Sequence, residues 1–112
     1  MSTTDKGNKL EDYVLAKFQE FDPCARRRGK PYDVVSEYCV AECKNLAGQS
    51  ISIPANYYDK LLAKMPMNTN QLPIVVREIS DGRRFVILDF DYFVDYFLKV
   101  LVENGLMDLT KI

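Results

Sequence analysis

Apolar residues Leu10, Val14, Phe18 and Phe21 recur at spacings of four, four and three. That period predicts an amphipathic helix over 8–21, ended by Asp22-Pro23. Residues 24–28 read as a short strand before Gly29. Two β-type segments follow, at 32–36 and 38–44, with a tight turn expected near Ser36-Glu37. After a polar loop, Pro54 is expected in the first turn of a second helix. Its apolar face is Tyr57, Tyr58, Leu61, Leu62 and Met65, and Pro66 closes it. The runs at 72–79 and 84–90 are strongly apolar strands, and Ser80-Asp81-Gly82 between them signals a hairpin. Phe93, Val94, Phe97, Leu98, Leu101 and Val102 then define a last helix, stopped at Asn104-Gly105. The order is α-β-β-β-α-β-β-α, an α/β (α+β) class with a mixed central sheet flanked by helices.

The chain has 112 residues, which suits a single domain with one modest core. Residues 8–112 are assigned to that domain, and the polar residues 1–7 to a disordered tail. A net charge of -1 does not point to nucleic acid as a strongly basic whole would. Basic residues are nevertheless clustered at 26–30. The chain has three cysteines and no CxxC pair, which argues against a disulfide framework or a zinc knuckle. It has no histidine, which excludes His-based zinc sites and Ser–His or Cys–His catalysis within the chain. The beginning is polar, without an apolar signal core. No apolar run approaches the roughly 20 residues that span a bilayer. A cytoplasmic protein with reduced thiols, no membrane partner and no organic cofactor is expected.

Charged residues stand inside the two central strands. Alternation puts Tyr38, Val40, Glu42 and Lys44 on one face and Cys39, Ala41 and Cys43 on the other. Glu42 and Lys44 then point the same way, with Cα atoms about 6.5–7 Å apart. Asp33 lies on the preceding strand. A simple hairpin through Ser36-Glu37 does not set it opposite Glu42, so a bulge or strand divergence is required to join them. Glu11 falls inside the apolar arc of the first helix at 100° per residue. An acid there needs a partner, and a metal or Lys44 would serve. Two or three carboxylates make a hard oxygen site suited to Mg²⁺ or Mn²⁺. Such an ion polarises a phosphodiester and helps form hydroxide from water, while a nearby lysine offsets developing negative charge.

With Glu11 on the first helix, Asp33 in "PYDVV" and Glu42-Cys43-Lys44 in the next strand, the chain resembles the PD-(D/E)xK nuclease superfamily. The likeness is to its compact, Holliday-junction-resolvase-like members, over residues 7–79. Here the proline stands one residue further back. The resemblance implies a restriction-endonuclease-like core and an Mg²⁺- or Mn²⁺-dependent endonuclease acting on DNA, expected to be branched or structured, in recombination or repair. It implies metal ligation by Asp33, Glu42, the Cys43 main-chain carbonyl and Glu11, with Lys44 assisting the water. The alternative is a catalytically inactive nuclease fold that binds nucleic acid, or a dimeric interaction protein.

Arg26, Arg27, Arg28 and Lys30 are expected to contact phosphates, with Lys9 and Gln49 adding to that surface. Arg77, Arg83 and Arg84 are weaker extensions of the patch. Aromatic residues on several sides of the last helix suggest a partner surface, best read as a homodimer. Asp89, Asp91 and Asp95 are read as helix capping rather than a second metal site. The cysteines are read as small core residues.

Overall fold

A computed structural model describes residues 3–27, 33–66 and 69–106. The first helix, α1, runs Thr3–Gln19. It starts before the predicted position, so residues 3–7, expected as a tail, are helical backbone. Strands β1 (Arg26–Arg27) and β2 (Val34–Val35) are two residues each, and β3 is Cys39–Asn45. Helix α2 is Ala55–Lys64, with Pro54 at its N-cap. Strands β4 (Leu72–Glu78) and β5 (Arg84–Ile87) follow. The last helix is continuous over 90–103 but has three parts: α3 (Phe90–Phe93), a π-helical turn (Val94–Leu98) and α4 (Lys99–Glu103).

The five strands form one mixed sheet in the order β1-β2-β3-β4-β5. Only β3 and β4 are parallel; the other pairs are antiparallel. A parallel pair needs a crossover connection, and α2 supplies it. Alternation along the strands then divides the core between two faces. Leu10 and Val14 of α1 pack on Val34, Ala41, Cys43, Ile74 and Val76. Leu61 of α2 packs on Val35, Val40 and Val75. Both faces of β4 are therefore covered, which is why its sequence is an unbroken apolar run. Between β4 and β5, Gly82 takes φ 90°, a conformation that costs glycine little, and Ile79 N–H donates to Arg83 O at 3.0 Å.

Arg77 does not belong to a basic surface. It is 2% exposed and lies beside Lys44 in the parallel register. Its guanidinium donates to the Leu46 carbonyl at 2.8 Å and also to that of Glu78, so it ties down the loop after β3. Among the described residues no helix is long and apolar enough to cross a membrane.

Candidate active site

The connection between β2 and β3 decides which residues meet. Ser36 N–H donates to Cys39 O at 2.9 Å, which closes a tight turn centred on Glu37-Tyr38, one residue later than the Ser36-Glu37 expected. The Ser36 hydroxyl accepts from the backbone N–H of Tyr38 (3.1 Å) and Cys39 (2.9 Å). The turn is also held from outside. Asp22, 5% exposed, accepts from Cys24 N–H and Glu37 N–H at 3.0 and 2.7 Å. Gln71 Nε2 donates to Ser36 O at 2.7 Å. With the turn one residue later, Val35 opposes Val40 and Val34 opposes Ala41. Asp33 also bonds to Ala41, a bulge-like offset beside Val34. The register obstacle anticipated from the sequence is removed by the position of the turn together with this offset.

Asp33 N–H donates to Ala41 O at 3.1 Å, the last main-chain bond on that side of β3 among the described residues. In the next rung the Asp33 carboxylate replaces a backbone carbonyl and accepts from Cys43 N–H at 2.8 Å. Strand N–H groups lie in the sheet plane, and a residue's C=O points to the same side as its N–H. The Asp33 carboxylate and the Cys43 carbonyl therefore share one edge of β3.

Glu11 and Glu42 approach that edge from opposite faces, Glu11 on α1 and Glu42 on the α2 side of the sheet. Burial pushes the Glu11 carboxyl above its ordinary range, with the Asp33 charge the next cause, while Arg27 pulls it down. Glu42 is raised by burial and then by Asp33, opposed by Lys64 and Lys44. The buried Cys43 thiol is raised by burial first and then by the charges of Asp33, Glu11 and Glu42. Asp33, Glu11 and Glu42 thus act electrostatically on one small region around Cys43.

Cations sit against these acids. The partner of Glu11 is Arg27, not Lys44: the guanidinium forks to Glu11 Oε2 and, at 2.8 Å, to Asp12 Oδ1. Lys64 Nζ is 3.6 Å from Glu42 Oε1. Lys44 shares the Glu42 face, with its Nζ 5.1 Å from the Tyr57 ring centroid, a cation–π distance. Among the described residues, no three Cys, Asp or Glu side chains form a ready-made metal cage. The donor set is nonetheless all hard oxygen, as Mg²⁺ or Mn²⁺ requires. For the carboxylates to share an ion, Glu11 must turn from Arg27 and Glu42 from Lys64.

The expected nucleic-acid surface is spread out. Arg26 is exposed on β1, Lys9 on α1 and Gln49 in the loop after β3. Arg28 and Lys30 lie outside the described residues. Arg83 pairs with Asp81 at 2.8 Å, and Arg84 pairs with Glu78 at 2.9 Å and lies 3.7 Å from the Tyr13 ring centroid. Asp89 caps the last helix by accepting from Asp91 N–H and Tyr92 N–H, and Asp95 pairs with Lys99 at 2.9 Å.

The sequence reading did not place Lys64, although it lies three residues beyond Leu61 and so on the core-facing side of α2. It also missed Asp22, whose adjacency to proline reads only as a helix stop. Comparison of the chain with models of known families, with curated proteins and with solved structures gives no match.

Proposed function

We propose that the β3 edge is a divalent-metal site for phosphodiester hydrolysis and that the protein is a DNA endonuclease with a restriction-endonuclease-like core. The single observation that carries the reading is the place of Asp33: bonded to Cys43 N–H and electrostatically coupled to both Glu11 and Glu42. Magnesium or manganese at this edge would polarise the phosphodiester and lower the pKa of a bound water. Asp33, Glu42, Glu11 and the Cys43 carbonyl are the ligands. The Asp33 bond to the β3 backbone fixes one ligand in advance, so less freedom is lost on binding. Lys44, on the Glu42 face, offsets negative charge that develops on the phosphate.

The test is cleavage of branched, flapped, single-stranded and linear DNA with Mg²⁺, Mn²⁺ or EDTA. Metal-dependent cutting that vanishes in Asp33→Asn and Glu42→Gln is the expected result. A second reading is favoured by Arg27 and Lys64, which already neutralise two of the acids. In that reading the same surface holds nucleic acid without cutting it, and DNA binding with no cleavage under any metal would select it.

The working unit is proposed to be a homodimer built on the last helix. No residue of 90–103 is fully buried, while Phe90, Tyr96, Phe97 and Val100 are exposed. The other side of the helix is half-buried, and the exposed apolar stripe supports a second copy as its cover.

A further inference from the structure

Outside the carboxylate edge, the α2 face of the sheet carries a group of charges that hydrolysis leaves unassigned. Lys60 and Lys64 stand four residues apart on α2, hence on one side of the helix. Lys44 rises towards them from β3. With Glu42, Tyr57 and Leu61 they line a cavity of about 150 Å³. Liquid water occupies about 30 Å³ per molecule, so the space suits about five heavy atoms. A phosphate group has that many. Three ammonium groups face one carboxylate, a local excess of two positive charges. Among the described residues Lys60 has no carboxylate partner. The Tyr57 ring stands in the same wall, beneath Lys44 Nζ.

We propose that this cavity binds a backbone phosphate of nucleic acid, adjacent to the phosphodiester at the β3 edge. The proposal rests on the hydrolytic reading, because Glu42 and Lys44 belong to both places and set the strand's path from one to the other. Lys60 and Lys64 are its phosphate contacts. They add sequence-independent affinity and fix which phosphate enters the reaction.

The test is fluorescence anisotropy of labelled single-stranded and duplex oligonucleotides in EDTA over a salt series, so that cleavage plays no part. Each lost phosphate contact lowers the slope of log K against log salt by about 0.7–0.9. Lys60→Ala, remote from the hydrolytic residues, is expected to lose one such step and Lys60→Ala/Lys64→Ala two. Lys60→Arg/Lys64→Arg is expected to keep the wild-type slope. Inorganic phosphate is expected to produce saturable amide NMR shifts centred on Tyr57, Lys60 and Lys64. An unchanged slope in the folded double alanine variant overturns the proposal, even if the protein still cleaves DNA. Absence of nucleic-acid binding by the wild type overturns it too. Lysine-dependent binding without cleavage under any metal upholds the phosphate site and removes the hydrolytic reading alone.

Discussion

Asp33 has a structural task and a proposed chemical one, and two substitutions separate them. Its carboxylate holds Cys43 N–H at 2.8 Å. Asp33→Ala leaves that donor without its partner. A lost hydrogen bond to a partly buried donor costs about 1–3 kcal/mol. For a domain of this size, 1 kcal/mol moves Tm by about 4 °C, so a loss of about 4–12 °C is expected. Asp33→Asn keeps an amide oxygen that can accept from Cys43 N–H. It also removes the negative charge that raises Glu11 and Glu42, which relieves repulsion and offsets the weaker bond. Its Tm is expected within about 4 °C of the wild type, a change of about 1 kcal/mol. Both variants are expected to lose metal-dependent cleavage. The assay is thermal unfolding followed by far-UV circular dichroism at neutral pH, with urea titration to check the m-value. Equal Tm losses in the two variants would refute the bond to Cys43 as the source of the effect. Unchanged cleavage in Asp33→Asn would refute the chemical task.

Three further outcomes follow from the structure. Glu11 and Glu42 carry carboxyl pKa values raised above 4.5, so in the window above 4.5 the folded state binds more protons than the unfolded state, and stability falls as pH rises through that window; Glu42→Gln is expected to flatten this slope in urea titrations between pH 4 and 7, and an unchanged slope contradicts the burial of that charge. Leu61 is fully buried between α2 and the sheet, so Leu61→Ala is expected to destabilise by about 2–5 kcal/mol in chemical denaturation, and a change below about 1 kcal/mol, typical of surface sites, would place α2 wrongly. Phe97→Asp puts a charge on the exposed stripe of the last helix, and light scattering is expected to show a dimer for the wild type and a monomer for the variant; a monomeric wild type at all concentrations removes the second copy.

The layered arrangement was readable from local pattern. The alternation in β3, the unbroken apolar run of β4 and the helical spacing of Leu10 and Val14 each report burial on particular faces, and those faces are where the two core clusters form. What local pattern does not encode is how charged groups find one another. The turn before β3 centres one residue later than expected, held by the Ser36 hydroxyl and the distant Asp22 and Gln71 side chains. That position brings the Asp33 carboxylate to Cys43 N–H. Arg27 was assigned to phosphates because of its basic neighbours, yet β1 carries it across to Glu11 and Asp12. Arg77 was assigned to a basic patch, but the parallel register buries it beside Lys44. In the last helix the apolar spacing was visible, whereas the π-helical turn at Val94–Leu98 has no mark in that spacing. The placements of Arg27 and Arg77 arise from contacts between segments distant in sequence.

The claim most exposed to test is that Glu11, Asp33 and Glu42 serve one metal ion at the β3 edge. Paramagnetic broadening of backbone amide signals by substoichiometric Mn²⁺ measures this directly. The account predicts that broadening centres on Asp33, Glu42 and Cys43, extends to Glu11, is displaced by excess Mg²⁺, and is lost in Asp33→Asn. Broadening centred on the exposed acids Asp89, Asp91 and Asp95, or none at these four residues, would contradict it.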